Sequence, residues 1–223
     1  MNRINEKVIT KHRSNNDGNV TCEDPEAIRK ISNVESWNSN YRTGNIGWDI
    51  GEVSPPIKNY IDQIKNKNIK ILIPGCGNAY EAEYLSKNAF KDITLLDISS
   101  VVTNELIKKF AKDKNINVIC MNFFEQENKY DLILEQTFFC ALNPDLREEY
   151  CKKMIRLLNT NGKIVGVLFD REFEKDGPPY GGSKKEYEEL LKKYFDVKVL
   201  EKCYNSVQPR SGSEVFINLK NKN

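Results

Sequence analysis

The stretch Ile69-Lys70-Ile71-Leu72-Ile73-Pro74-Gly75-Cys76-Gly77 is a short apolar run that ends in paired glycines. Such a run reads as a strand buried on both faces, and its glycines make a turn whose backbone a ligand can approach closely. A helix over Glu81 to Lys87 follows, then a second strand over Ile93 to Leu96 that ends at Asp97. Next come a helix over Val101 to Lys112 and strands over Val118 to Met121 and Asp131 to Leu134. A helix over Pro144 to Leu158 leads, through an Asn161-Gly162 turn, to a strand over Lys163 to Leu168. A charged helix over Lys184 to Tyr194 precedes two strands near Val197 to Glu201 and Val215 to Leu219. Strands alternating with helices predict an α/β fold with a largely parallel sheet and helices on both faces. The last two strands have no helix between them, which predicts an antiparallel hairpin at one edge.

Upstream of the first strand, Ser54 is placed to cap a helix opened by Pro55 and Pro56, with Ile57, Tyr60, Ile61 and Ile64 on one face. Trp37, Tyr41, Ile46 and Trp48 add aromatic weight before it. Residues 1–30 are polar and mixed in charge, which predicts a flexible tail ahead of a single domain over residues 31–223.

Composition removes several classes. The chain has 223 residues, 39% hydrophobic and 30% charged, which sets aside collagen, coiled coil and full disorder. Lys and Arg total 34 against 32 Asp and Glu, and a net charge of +2 is no signature of nucleic-acid binding. No apolar run approaches the ~20 residues that span a bilayer, and the N-terminus lacks the apolar middle of a secretory signal. These features predict a cytoplasmic protein with no nucleic-acid or membrane partner. A monomer acting on a small molecule is expected, though nothing in the composition fixes the oligomeric state. Six cysteines without a CxxC pair read as reduced, mostly core thiols, with no metal site. The one histidine, His12, lies in the polar tail, so Ser-His-Asp hydrolysis and histidine acid–base chemistry lose their key residue.

In an open parallel sheet, ligands sit at the carboxyl ends of the strands, near the point where strand order reverses. The informative residues fall there. Asp97 follows Gly75 at about the 20-residue spacing expected of a carboxylate on ribose hydroxyls. Asn122-Phe123, after the third strand, offers an amide and a ring to a nucleobase. The third glycine of a dinucleotide fingerprint is Tyr80 here, and Glu81 and Glu83 stand in the first helical turn, where they repel phosphate. A ligand without phosphate and with a positive centre, such as S-adenosylmethionine, suits these residues better. Trp37, Tyr41 and Trp48 can wall a sulfonium by cation–π contact, and suit a hydrophobic lid on one sheet edge equally well. A nicotinamide oxidoreductase and a non-catalytic binder of an adenosine ligand stay open as alternatives.

Several stretches together resemble the thiopurine S-methyltransferase superfamily. They are Trp37-x3-Tyr41, Trp48-Asp49-x-Gly51, Pro55-Pro56, Leu72-Ile73-Pro74-Gly75-Cys76-Gly77 and Leu96-Asp97-Ile98-Ser99. Phe138-Phe139-Cys140-Ala141-Leu142-Asn143-Pro144 and Gly177-Pro178-Pro179-Tyr180 resemble its plant halide and thiol methyltransferase branch. The resemblance runs from about Val34 to Ile217. It implies a class I methyltransferase (Rossmann-like) fold with S-adenosylmethionine as methyl donor and S-adenosylhomocysteine as product. It places Trp37, Tyr41 and Trp48 around the donor and Gly75, Cys76 and Gly77 at its methionine part. Asp97 and Ile98 fall at its ribose, Asn122 and Phe123 at its adenine, and Glu135 and Gln136 at a further donor or substrate contact. The chain departs from the family at Tyr41, where a second Trp is usual, and at Asn122, where Asp is usual. It departs again at Gln136, where the thiopurine enzyme has Arg and the halide enzymes Tyr.

Methyl transfer from a sulfonium is an in-line displacement, governed by positioning and desolvation. A soft nucleophile (thiol, thiopurine, halide, thiocyanate or hydrosulfide) needs no strong base, so no catalytic side chain is assigned. Phe138, Phe139, Pro179 and Tyr180 are read as an apolar substrate pocket. Arg171 and Arg210 are each open to attracting an anion or to being ordinary surface charge, and neither is assigned a role. The Pro-Pro pair follows the fifth strand, not the fourth, which argues against the Asn/Asp-Pro-Pro-aromatic signature of amino-group methyltransferases.

Overall fold

Alternation along the central strands sets the layers. The computed structural model describes residues 34–175 and 177–222. The expected tail, with His12 and Cys22, lies outside the described residues. Strand β1 (Lys70–Pro74) is buried from its second residue on. Its Ile71 and Ile73 enter one core cluster and its Leu72 the other, as a strand buried on both faces requires. The other strands are β2 (Asp92–Asp97), β3 (Ile116–Cys120), β4 (Tyr130–Gln136), β5 (Leu158–Phe169), β6 (Phe195–Lys202) and β7 (Glu214–Asn221). The helices are α1 (Val34–Thr43), α2 (Pro55–Asp62), α3 (Tyr80–Lys87), α4 (Ser100–Lys109), α5 (Arg147–Leu157) and α6 (Lys184–Tyr194).

The sheet has the order β3-β2-β1-β4-β5-β7-β6. Pairs β1–β2, β2–β3, β1–β4 and β4–β5 are parallel. The hairpin falls at one edge as the missing helix predicts, but β7 inserts between β5 and β6 and is antiparallel to both. The outermost strand, β6, therefore runs with the parallel set.

Helices α2, α3 and α4 cover one face with Ile57, Ile61, Leu85, Val102 and Leu106. Helices α5 and α6 cover the other with Tyr150, Met154, Leu157, Tyr187 and Leu191. Each fully buried Leu or Ile contributes about 1.5–3 kcal/mol relative to exposure. Helix α4 is capped by Ser99, whose Oγ accepts from Val102 N–H, and α6 by a reciprocal Ser183–Glu186 capping box.

Three local expectations change. Ser54 holds the N-cap position of α2, but its hydroxyl makes no cap bond. Its backbone N–H instead donates to Glu81 Oε1 at 3.1 Å, pinning the loop to α3. The helix expected from Pro144 opens as a 3₁₀ turn over Pro144–Leu146, and Leu158 already belongs to β5. Asn161-Gly162 is no separate turn: Asn161 takes φ 66 inside β5, beside a register shift against β4. No helix among the described residues is long and apolar enough to cross a membrane.

Candidate active site

Strand order reverses at the junction of β1 and β4, and the chain turns tightly there. Gly75 and Gly77 take φ 55 and 49, the left-handed region that glycine enters without strain. A Cβ at Gly75 would lie 2.4 Å from Cδ2 of Phe138, and one at Gly77 3.2 Å from the Tyr41 hydroxyl. Cys76 between them is a core thiol that burial holds protonated, and its N–H donates to the Leu96 carbonyl at 3.2 Å.

Asp97, 6% exposed at the end of β2, joins two loops. Its Oδ2 accepts from Gly77 N–H at 3.1 Å and its Oδ1 from Ser99 N–H at 2.9 Å. Burial raises its pKa, and the backbone donors of Ser99, Gly77 and Ile98 oppose that rise. An ionised carboxylate has about four acceptor directions, so these two bonds leave capacity for hydroxyls.

Above this turn, α1 and the loop after it build an aromatic wall. The Trp48 ring meets Trp37 edge-on at 5.2 Å and Tyr41 at 5.8 Å between centroids. The Tyr41 hydroxyl is held protonated by burial and by the charge of Asp97. The wall is anchored by Asn38, which the sequence did not single out, and by Asp49, part of the Trp48-Asp49-x-Gly51 motif but given no role there. Buried Asn38, on the same helix as Trp37, accepts at Oδ1 from the Ser99 hydroxyl at 2.8 Å and from Val101 N–H at 3.4 Å. Asp49 accepts from Gly51 N–H at 2.6 Å, from the Asn78 amide and from the Tyr80 hydroxyl. Its Asp-x-Gly spacing was a legible signal for that turn.

The charged residues differ from expectation. Glu81 is buried, accepts from Ser54 and has its pKa raised by that burial, while Glu83 is exposed and paired with Lys87 and Lys109. The repulsion of phosphate read from both carboxylates therefore loses most of its force. Arg210 is no free cation either: Nη2 donates to the Trp48 carbonyl at 2.6 Å and Nη1 to Glu214 at 3.4 Å. Arg171 is exposed, with its guanidinium 4.9 Å from the Phe173 ring.

On the far side, Ile98 is half-buried and its carbonyl accepts weakly from the exposed Cys120 thiol at 3.8 Å. Asn122 Oδ1 accepts from Phe124 N–H at 3.1 Å, capping a 3₁₀ turn over Phe123–Glu125, so its oxygen is taken up locally. Phe123 is 3% exposed in the core, its centroid 5.0 Å from that of Phe138.

Glu135, fully buried at the end of β4, gives Oε1 to the N–H groups of Phe138 and Phe139, both at 2.9 Å, and Oε2 to the Tyr150 hydroxyl at 2.6 Å. These contacts are internal to the chain and make Glu135 a support for the turn. Gln136 is half-buried, and its Oε1 is enclosed without a hydrogen-bond partner. Thr137 then takes φ 61, a strained conformation for a β-branched residue that nothing in the sequence signals.

Among the four residues read as the substrate pocket, Phe138 lies against Gly75. Phe139 packs instead in the core, edge-on to Tyr150 and Tyr187 and under the Arg147 guanidinium, because two aromatic helix residues claim its ring. Tyr180 is half-buried and its N–H donates to the Cys140 carbonyl at 2.7 Å, while Pro179 is exposed. The contacts thus join Trp37, Tyr41, Trp48, Gly75, Gly77, Asp97 and Phe138. A separate open depression of about 700 Å³, along Glu83, Ser86, Lys109 and residues 112–115, contains none of them.

Comparison with known proteins agrees with this architecture. A probable thiol methyltransferase 2 of Arabidopsis thaliana is 31% identical over 160 residues, 70% of each chain. Thiocyanate methyltransferase 1 of Brassica oleracea is 26% identical over 200 residues, covering 85% of this chain and 88% of its own. Among solved structures, 1,6-didemethyltoxoflavin-N1-methyltransferase of Burkholderia thailandensis, with S-adenosylhomocysteine bound, superposes with a TM-score of 0.69 at 15% identity. That superposition covers 92% of this chain and 93% of the other, and establishes the class I methyltransferase fold. The sequence model of one family accounts for residues 32–221, from the aromatic wall to the last strand, and the chain belongs to that family, the thiopurine S-methyltransferases.

Proposed function

We propose that the joined strand ends seat S-adenosylmethionine, and that the chain passes its methyl to a small soft nucleophile: a thiol, thiopurine, halide, thiocyanate or hydrosulfide. Use of this donor follows from the family. When bound, the donor supplies a sulfonium methyl open to in-line displacement. The observation that carries the seat is a triple contact: Gly77 N–H on Asp97, the Tyr41 hydroxyl over Gly77, and the Phe138 ring on Gly75. A cradle of bare backbone and aromatic faces fits a flat nucleoside and a sulfonium cation.

In this reading Gly75, Cys76 and Gly77 hold the amino-acid end and Asp97 and Ile98 the ribose. Asn122 meets the adenine, with Phe123 behind it, and Trp37, Tyr41 and Trp48 exclude water above the sulfonium. Phe138, Tyr180 and Pro179 flank the acceptor, and Gln136 presents its enclosed amide beside them. Phe139 and Glu135 hold that side from behind. Asp97 keeps its free acceptor directions for ribose hydroxyls, and Glu135 is taken up by two backbone N–H groups and the Tyr150 hydroxyl, in keeping with nucleophiles that need no general base. The acceptor names carried by the relatives, thiol and thiocyanate, favour sulfur over nitrogen nucleophiles.

The deciding experiment offers methyl-labelled donor with iodide, thiocyanate, hydrosulfide, small thiols and a thiopurine in turn. Labelled product from at least one is expected; none across the panel overturns the acceptor class. We further read the segment from about Ser32 to Trp48 as closing over bound donor, Ser32 and Asn33 lying outside the described residues. Proteolysis within 34–48 is expected to slow with S-adenosylhomocysteine, and an unchanged rate removes the closure. We also propose a cytoplasmic monomer without nucleic-acid partners: the near-neutral net charge speaks against a polyanion partner, and the mostly buried thiols among the described residues suit a reducing compartment.

A further inference from the structure

Trp48 is held from a turn far away in sequence. Arg210, in the 3₁₀ turn just before β7, reaches a backbone carbonyl 162 residues upstream. Its own backbone is fixed: its N–H donates to Val207 and its carbonyl accepts from both the N–H and the hydroxyl of Ser213. The guanidinium is 5.2 Å from the Phe169 ring and faces Glu214, the two side chains being 10% and 4% exposed. A buried ion pair is by itself a poor source of stability, since desolvation cancels most of the attraction. A charge-assisted bond to a carbonyl is a strong and directional contact.

We propose that Arg210, oriented by Glu214, is a positioning residue that latches the Trp48 end of the aromatic wall to the sheet. The latch rests on the reading of Trp37, Tyr41 and Trp48 as the cover of the donor. Trp48 is thereby pinned by Arg210 while the next residue, Asp49, is pinned to Asn78 and Tyr80. The loop is fixed from the sheet and from α3 at consecutive residues, which sets the angle of the indole against Trp37 and Tyr41. The arginine thus acts on the donor through Trp48 and does not meet the acceptor.

The chain's two tryptophans are both in this wall, so intrinsic emission reports it alone. The test compares wild type, Arg210→Lys and Arg210→Met by calorimetric titration with S-adenosylhomocysteine, tryptophan emission, and KM for donor and acceptor separately. Loss of a charged hydrogen bond predicts donor-product binding weaker by about ten-fold in Arg210→Met, with emission altered and acceptor KM unchanged. Arg210→Lys, which keeps a cationic donor, recovers most of the affinity. If Arg210→Met fails to fold, Arg210→Met with Glu214→Met removes the latch and leaves no unpaired buried charge.

Wild-type affinity and emission in the folded double variant overturn the latch, as does a raised acceptor KM at unchanged donor affinity. Wild-type emission indifferent to product that calorimetry shows bound overturns the donor cover, and the latch with it. A wild-type response that survives in the variants removes the latch alone.

Discussion

Gly75 combines a left-handed backbone with the Phe138 ring where a side chain would start, so two separate costs meet in Gly75→Ala. The conformation alone costs roughly 1–2 kcal/mol, and the ring must also move. Donor-product affinity is expected to fall at least about ten-fold with far-ultraviolet circular dichroism unchanged; a titration matching wild type would clear Gly75 of that role. Glu135 carries a pH signature. Burial lifts its pKa to about 7 against the bonds from Tyr150, Phe139 and Phe138 that pull it down. Between the ordinary carboxylate value and 7, the folded chain keeps a proton that the unfolded chain has released. Its stability contribution is therefore full in acid and lost as pH rises through that window. Glu135→Gln keeps an acceptor for the two backbone donors and is expected to flatten this slope, read as urea midpoints from pH 4.5 to 7.5. An unchanged slope places the linkage elsewhere.

Helix α1 carries Trp37 and Tyr41 and is tied down by Asn38, whose side-chain oxygen meets the Ser99 hydroxyl that also caps α4. One buried amide therefore couples the wall to the loop that Asp97 organises. Asn38→Ala leaves those donors unmet and is expected to cost about 1–3 kcal/mol. Thermal midpoints should fall by a few degrees per kcal/mol, with faster cleavage within residues 34–48. Unaltered cleavage would mean that α1 is held by packing alone. In β5, Gly166 lies so near β4 that a Cβ would fall 1.9 Å from the Glu135 carbonyl oxygen. Gly166→Ala is expected to prevent soluble accumulation, checked against Gly47→Ala, where a Cβ meets nothing within 4 Å.

Across the whole molecule the exposed pairs, such as Lys58–Asp62, Lys87–Glu83 and Lys192–Glu188, belong to the class worth about 0–1 kcal/mol each. Raising sodium chloride to about 0.5 M is expected to move the thermal midpoint by no more than about 2 °C, because such pairs are already well screened. A larger drop would assign the fold an electrostatic dependence that two apolar cores do not suggest. Much of this architecture was written in period and punctuation. The runs at Ile71 to Ile73 and Ile93 to Leu96 announce strands buried on both faces, and Lys184 to Tyr194 has its helix bounds where periodicity put them. Gly75, Asp97 and Asn122 mark strand ends because turn and cap chemistry is local. What depended on tertiary structure was which groups meet. Arg210 reads equally as an anion-attracting or an ordinary surface charge until Glu214 and the Trp48 carbonyl are brought to it, and the three chain donors on Glu135 are visible only in the fold. Phe139 and Phe138 are neighbours in sequence, yet one ring enters the core and the other lies on Gly75. Local propensity is decided within a few residues, whereas the partner of a buried charge or ring is chosen by how separate elements pack, and linear order does not carry that choice.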